Sequence, residues 1–396
     1  MRTLTASWVV TVAGAPLRDG RVAVEEGRIV WVGSAGDSAA PSGPVHDLGP
    51  GVLLPGLVNA HCHLELSHLA GRVPFGGGFV AWVEALVAAR ANDAEAEVRA
   101  GAAAAIRAME EGVTVAVGDV SNHLLHLDLL AAGHLESVVF LELLAWDPAR
   151  AAATLEWADG RVAALAGALA SNVRLRLAAH APYSVSPALF AGLVSRGGPA
   201  AMHLAESPAE SQFLATGEGD WRGFLERRGL GHVAFDPPGL SPVGYADGLG
   251  ALRPGLVAAH GVQVDGSDRA LLARRGVFVA LCPRSNRNLG VGVAPAAKLL
   301  AAGVRLCLGT DSLASVESLD VLEDAVLLHR QFPDLDPALI VRMATLGGAE
   351  ALALPDLGAI VPGRRAALAF APAAAVPEDP HHHLLSGQAR LQRVDP

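Results

Sequence analysis

Pro55-Gly56-Leu57-Val58-Asn59-Ala60-His61-Cys62-His63 is an apolar run that ends in two histidines spaced two apart. In an extended strand successive side chains alternate faces, so His61 and His63 project to one side and Cys62 to the other. Two imidazoles on one face of a strand end make a bidentate clamp for a metal ion. Four later segments close in the same manner: Val173 to His180, Ala200 to His203 with Glu206 just beyond, Leu256 to His260, and Val304 to Asp311. A parallel (β/α)8 barrel gathers its strand ends at one mouth, where the catalytic residues of that fold converge. The pattern predicts an α/β chain built on a TIM-like (β/α)8 barrel, with a site at its C-terminal face.

The chain has 396 residues, more than the roughly 250 of a bare barrel, which leaves room for a second small domain. Hydrophobic residues make up 51%, ample for a large core, and alanine inflates the mean hydropathy of +0.36. Every apolar run is broken well short of the ~20 residues a spanning helix needs, so no membrane partner is expected. Met1 to Val12 lacks a basic segment followed by a sustained apolar core, so no secretory signal is read and the cytoplasm is the expected location. A net charge of -10 and a pI near 5.8 speak against a nucleic-acid partner, which calls for a basic surface. Cys62, Cys282 and Cys307 lie in apolar contexts without framework spacing and read as buried thiols.

The first fifty residues alternate like half-buried strands, as in Arg21 to Val24 and Arg28 to Val32, with turns at Glu26-Gly27 and Gly33 to Gly36. The other end returns to this style in Ala366 to Phe370 and Ala389 to Val394. Residues 1–51 and 357–396 are therefore expected to form one small β-sandwich domain from both termini, around a barrel over 52–356. Barrel strands are predicted at Val52 to Ala60, Val113 to Val117, Val138 to Leu144, Val173 to Ala179, Ala200 to Leu204, Leu256 to Ala259, Val277 to Leu281 and Val304 to Leu308. Their near-continuous apolar character suits a parallel sheet covered on both faces. Helices are predicted at Phe79 to Ala91, Ala94 to Glu111, Pro148 to Leu169, Pro187 to Arg196, Pro208 to Thr216, Ala294 to Ala302 and Leu319 to Gln331. A doubly wound open sheet is the competing architecture, but it would not so naturally bring the first and last strands together. Residues 231–254, rich in proline and glycine, read as a loop at or near the mouth. His381-His382-His383 reads as a solvated tract of the small domain.

Catalytic zinc keeps three or four protein ligands of histidine or carboxylate type and one open position for water. His61, His63, His203 and Asp311 answer that description from the first, fifth and eighth strands. Pro55 to His63, His203-Leu204-Ala205-Glu206, Ala259-His260-Gly261 and Leu308-Gly309-Thr310-Asp311-Ser312 resemble the metal-dependent amidohydrolase superfamily. Within it they resemble the branch of adenosine-type, S-adenosylhomocysteine and aminodeoxyfutalosine deaminases and chlorotriazine hydrolases. The likeness runs on to Leu357 to Gly363, after which Ala367 stands where an Asp is usual. It implies metal ligation by His61, His63, His203 and Asp311, and proton transfer by Glu206 and His260, with Asp311 also orienting the water. Read otherwise, Glu206 opens a helix before Ser207-Pro208 and complements its dipole. Binuclear members bridge two metals with a carboxylated lysine, and the only lysine, Lys298, lies in a predicted helix. One divalent metal ion is the consistent count, with zinc expected first and iron its competitor.

The expected reaction is hydrolytic deamination of a small-molecule nucleoside. Glu206 would protonate the ring nitrogen beside the attacked carbon and pass a proton to the departing amine, in the manner of other zinc deaminases. His180, in His180-Ala181-Pro182-Tyr183-Ser184-Val185-Ser186, resembles a segment that contacts ribose in nucleoside-deaminating relatives; from spacing alone it stands equally as a ligand. Glu65 and Arg284 join it as candidate substrate-binding residues. The stretch Leu64 to Gly71, followed by Phe75-Gly76-Gly77-Gly78-Phe79 and Trp82, looks like the variety found in aminodeoxyfutalosine deaminases of menaquinone biosynthesis. A substrate of that kind, 6-amino-6-deoxyfutalosine, carries an aromatic carboxylate tail; Phe75, Phe79 and Trp82 are candidates for an apolar wall, and Arg72, Arg284 and Arg287 for a cation. The alternatives are deamination of adenosine, methylthioadenosine or S-adenosylhomocysteine, a chlorotriazine- or cyclic-amide-type hydrolase, and a metal-stabilised scaffold without catalysis. A homodimer completes the expectations.

Overall fold

The computed structural model of the chain describes residues 1–34, 36–165 and 167–394. Position 35 of the turn Gly33 to Gly36 and position 166 of the predicted helix Pro148 to Leu169 lie outside the described residues, as do 395 and 396. The run expected as one strand over Val52 to Ala60 is two. Strand β5 (Gly51–Pro55) belongs to a sheet made by the termini, and β6 (Leu57–Cys62) opens the parallel part of the molecule. They part at Gly56, where an added Cβ would lie 2.2 Å from Val115 Cγ1. Gly56 N donates to Ala367 O and Leu57 N to Val113 O, so the chain changes sheets across one peptide.

The terminal sheet has seven strands: β1 (Arg2–Val9), β2 (Leu17–Glu25), β3 (Arg28–Ser34), β4 (Val45–Asp47), β5, and two from the other end, β14 (Leu368–Pro372) and β15 (Gln392–Val394). Their order is β15-β14-β5-β1-β2-β3, with β4 also on β1. Both termini thus enter one sheet, around an apolar cluster that includes Leu4, Val22, Ile29, Leu53 and Phe370.

The parallel strands are β6, β7 (Thr114–Ser121), β8 (Glu136–Leu143) and β9 (Val173–Ala179) in one run, and β10 (Ala201–Leu204), β11 (Val257–His260), β12 (Phe278–Leu281) and β13 (Arg305–Leu308) in another. Between the runs, Ala200 N donates to Leu177 O at 2.9 Å and His203 N to His180 O at 2.8 Å. At the other edge Thr310 N and Asp311 N both donate to His61 O at 3.0 Å. Val58, Ala116, Phe140, Ala178, Val257 and Phe278 from both runs share one apolar cluster, closed by Leu352, Leu354 and Leu357. Cys62, Cys282 and Cys307 are buried free thiols, and burial pushes all three up, away from the thiolate form.

The helices Phe79–Ala89, Glu95–Glu111, Ala151–Leu165, Pro187–Ser195, Pro208–Thr216, Ala296–Ala301 and Val321–Gln331 fall on the predicted segments. Serine before proline starts two of them: Ser186 and Ser207 each accept from a backbone N–H three residues on. Two expectations are corrected. Residues 231–254 contain the helix Pro242–Gly248, capped by Ser241, which packs between the helices Pro208–Thr216 and Gly266–Arg275 and lines no part of the cavity described below. The histidine tract is not an irregular solvated segment but half of the helix Pro380–Leu385, which packs on the helices Pro337–Arg342 and Val321–Gln331, with the His329 and His382 rings 5.7 Å apart. Among the described residues no helix is long and apolar enough to cross a membrane.

Gly309 sets how closely β13 approaches β6, since a Cβ there would meet His61 Cβ at 2.7 Å and His61 O at 2.8 Å. Gly309→Ala should destabilise the chain by about 1–3 kcal/mol in denaturant unfolding. Gly160→Ala is the control: it lies within the helix Ala151–Leu165 with nothing inside 4 Å of the new methyl, and should add about 0.5–1 kcal/mol.

Candidate metal centre and catalytic cavity

Strand ends deliver the donors. His61 and His63 come from the end of β6, His203 from β10 and Asp311 from the turn after β13, and one ligand atom from each lies within 4.8 Å of the others. His63 Nε2 is 3.2 Å from His203 Nε2, and Asp311 Oδ1 is 3.4 Å from His63 Nε2 and 3.8 Å from His61 Nε2. Burial, and then the neighbouring histidines, push His61 and His63 well below the usual imidazole range, so the rings are neutral. Neutral imidazole is the ligating form. His61 Nε2 is buried without a hydrogen-bond partner, which is costly unless something else engages the lone pair. A divalent cation fits this set of three imidazoles and one carboxylate.

Contacts behind the donors aim them. Asp311 Oδ2 accepts from Ser285 Oγ at 2.6 Å and Ser315 Oγ at 2.8 Å, leaving Oδ1 toward the histidines. His203 Nδ1 lies 3.1 Å from the His180 carbonyl, an acceptor only, so Nδ1 carries the proton and Nε2 is free to ligate. Ala205, His260 and Asp311 all have positive φ, at 53°, 75° and 64°. Such strained backbone collects at functional sites, where surrounding contacts over-determine it.

Glu206 and His260 meet beside the cluster, with His260 Nε2 3.5 Å from Glu206 Oε1. His260 Nδ1 is 2.9 Å from Asn286 Oδ1. Donation there leaves Nε2 unprotonated, and Nε2 has no hydrogen-bond partner. Burial, with the charges of Asp311 and Glu210, pushes Glu206 well above the usual carboxylate range, so its carboxyl holds a proton near neutral pH. Buried Glu210 grips this turn, accepting from Glu206 N at 2.7 Å and Ala205 N at 3.2 Å, and burial pushes it up to about 7.

His63, His203, Glu206 and Asp311 line a cavity of about 200 Å³. Phe79, Trp82, Tyr183, Trp221 and Phe224 wall it. Tyr183 stacks on Trp221 with centroids 4.1 Å apart, and Trp82 Nε1 donates to Ala314 O. His180 is on the wall, hydrogen-bonded to Ser184 Oγ, and burial with the charge of Arg90 pushes it down to about 4.

Several expected substrate residues are elsewhere. Glu65 is not on the wall: its carboxylate accepts from Ser121 Oγ, Asn122 N, His123 N and Arg90 Nη2, so it holds Arg90, which is. Arg284 is turned away into Asp324, Glu323 and Ser318, because the helix Pro283–Asn288 starts directly after β12 and carries its side chain outward. Arg72 pairs with Glu97 at the surface, Arg287 bonds Asn288, and Phe75 is exposed. The sequence reading missed Arg90, Glu210, Asn286, Trp221 and Phe224. The last two lie on the helix Asp220–Arg227, whose apolar residues Trp221, Phe224 and Leu225 have the i, i+3, i+4 spacing that would have announced it.

Strand-end imidazoles and a carboxylate around a small cavity, beside a buried acid and a neutral histidine, are the equipment of a metal-dependent hydrolase. The chain belongs to the Amidohydrolase family, whose profile matches residues 52–385. An aminodeoxyfutalosine deaminase of Deinococcus radiodurans is 35% identical over 312 residues, 75% of this chain and 72% of that one. A 5-methylthioadenosine/S-adenosylhomocysteine deaminase of Nitratidesulfovibrio vulgaris is 32% identical over 384 residues, covering 91% and 81%. Among solved structures, Helicobacter pylori aminofutalosine deaminase in complex with methylthio-coformycin superposes with a TM-score of 0.87 at 23% identity, over 100% of both chains, and shares the TIM-barrel type of fold. An adenosine deaminase from Xanthomonas campestris with bound zinc gives 0.77 at 27% identity, covering 98% of this chain and 89% of that one. The chain is, more particularly, a metal-dependent hydrolytic deaminase.

Purified protein should hold about one zinc or iron per chain by elemental analysis. His63→Ala, His203→Ala and Asp311→Ala should each bring that well below stoichiometry. Cys282→Ser should retain it, although Cys282 lies in reach of His61 and His260, because its thiol is held in the protonated form.

Proposed function

We propose that the chain deaminates an adenine nucleoside at C6, and that its substrate is 6-amino-6-deoxyfutalosine, giving futalosine and ammonia in menaquinone biosynthesis. The observation that carries this is the pairing of Glu206, buried and protonated, with His260, buried and neutral, 3.5 Å apart beside the donor cluster. One zinc ion held by His61, His63, His203 and Asp311 would supply Lewis acidity, lowering the pKa of its water from about 15.7 toward 7. Glu206 gives its proton to the purine ring nitrogen next to C6 and so makes that carbon electrophilic. His260 Nε2 and Asp311 orient the attacking water and take its proton. The proton taken from the water passes from His260 to Glu206, 3.5 Å away, and on to the amino group; ammonia leaves the tetrahedral carbon, the first proton stays on the ring nitrogen, and the remaining hydroxyl proton restores Glu206. The stacked aromatic wall suits a planar base. Iron is the other metal the donors would accept.

The same reading includes a closed (β/α)8 barrel over residues 52–356 and a small β-sandwich from 1–51 and 357–396. The hydrogen bonds of Thr310 and Asp311 to His61 O, and of His203 to His180 O, support closure. A single metal follows from Lys298, the sole lysine, which sits exposed on the helix Ala296–Ala301, away from the donors.

The test is ammonia release and the ultraviolet change from aminopurine to hypoxanthine. The panel is 6-amino-6-deoxyfutalosine, adenosine, methylthioadenosine and S-adenosylhomocysteine. The first should give the highest kcat/KM; a higher value for a different member reassigns the substrate, and silence across the panel favours a triazine- or cyclic-amide-type hydrolase. Glu206→Gln should retain metal and lose about 10²–10⁴ in kcat. Near-normal turnover would remove its proton role.

A further inference from the structure

Parallel strands covered on both faces are ordinarily apolar throughout, and β9 breaks that rule. Its residues Leu175, Leu177 and Ala179 pack in the large cluster that includes Leu155, Leu189 and Leu193 of the surrounding helices. Ala178 faces the other way, into the cluster shared by both runs of strands. Alternation therefore turns Arg174 and Arg176 to the same inner side as Ala178, where the neighbouring β8 places Val138 and Phe140. Arg174 is answered by Glu136 at 3.2 Å. The exposed guanidinium of Arg176 has no carboxylate or hydrogen-bond partner among the described residues.

Arg176 lines a cavity of about 400 Å³ near the N-terminal ends of β8 to β11, together with Arg196, Arg253, Glu350, Phe140 and Leu352. That volume lies within the roughly 300–1,000 Å³ usual for small-molecule sites. The cavity shares no lining residue with the one before the metal donors, and Arg176 precedes His180 by four residues, about 13 Å of strand.

The charges around this second cavity do not balance. Arg196 is held by Asp159 at 2.6 Å, and Glu350, the one carboxylate in the wall, is held by Arg342 at 2.7 Å. Arg253 makes a single bond, 3.5 Å long, to Gly198 O, at the outer limit of useful geometry. Gly198, with φ 85°, gives the Arg253 side chain its place, since a Cβ there would meet Arg253 Cδ at 2.7 Å and Nη1 at 3.0 Å. Two guanidiniums, from β9 and from the segment before β11, thus remain without a counter-charge. The side chains of Val138, Phe140 and Leu352 beneath them offer no acceptor. A cleft of one charge sign with apolar walls concentrates the opposite ion.

We infer that this cavity is a second binding site, for a small organic anion whose carboxylate or phosphate group is met by Arg176 and Arg253. The planar guanidinium suits both groups, which it engages with two parallel N–H donors. The volume exceeds that of a bare ion and leaves room for an apolar body beside Phe140 and Leu352. The inference does not depend on which nucleoside the catalytic cavity takes.

The test is calorimetric titration of the metal-loaded protein with benzoate, phenyl phosphate and neutral benzamide, using wild type, Arg176→Gln and Arg253→Gln. Wild type should bind one of the two anions at least about 10-fold more tightly than benzamide, and the tighter anion names the group the site takes. Each variant should weaken that anion by about 10- to 100-fold, the span of one charge-assisted contact. Metal content equal to wild type shows that the variants are folded, and each arginine tests the site without the other. Unchanged anion affinity in both variants overturns the site. So does benzamide binding as tightly as the anions, or no heat from either anion at millimolar concentration.

Discussion

The carbonyl oxygen of His61 accepts from two successive backbone N–H groups, those of Thr310 and Asp311, and the placement of the metal donors depends on that junction. It ties the end of β6 to the turn after β13, so the first and last parallel strands present ligands to one point. The side chains of Asn59 and Thr310 reinforce it. Asn59 Nδ2 donates to Thr310 Oγ1 at 2.7 Å and Asn59 Oδ1 accepts from Thr310 N at 3.2 Å, both in fully buried surroundings. Hydrogen bonds out of water's reach cannot be exchanged for solvent without leaving a group unpaired. The seam is therefore either made completely or opened at substantial cost.

Around the seam the fold keeps charge and burial in tension. Glu206, Glu210 and Asp311 are three buried carboxyl groups in one neighbourhood, and they have different fates. Asp311 faces His260, His61 and His203 and two serine hydroxyls, and is held below the usual range despite burial. Glu206 lacks the serine donors that Asp311 has, and burial with the charges of Asp311 and Glu210 pushes it up. One carboxylate thus stays ionised to hold a cation, while its neighbour keeps a proton to give away. Environment, not residue type, separates the two roles.

The parts legible in the sequence were those with a local signature. Alternation put His61 and His63 on one face, apolar runs marked the eight parallel strands, and Ser186-Pro187 and Ser207-Pro208 marked two helix starts. What escaped depended on partners distant in the chain. The break of Val52 to Ala60 into two strands is enforced by Val115 crowding Gly56, which no pattern within 52–60 reveals. Arg284 looked like a cation at a strand end, yet its partners, Asp324 and Glu323, come from a helix some forty residues on. Arg90 lies near the end of the predicted helix Phe79 to Ala91 and reaches the cavity because Glu65 and Asp93 hold it there. The helix Gly266–Arg275 was missed for another reason: four of its ten residues are charged and only Leu272 and Asp268 are buried, so its signal was the capping pair Asp265 and Asp268.

The distribution of thiols gives this architecture a built-in reporter. Cys62 lies in β6 between the two clamp histidines, Cys307 in β13 just before the seam, and Cys282 at the end of β12, all fully enclosed. A thiol both enclosed and held in its protonated form reacts with alkylating agents only when its strand opens. Labelling rates at these three positions would therefore time the breathing of adjacent staves, one by one, in the unmodified chain and without an added probe.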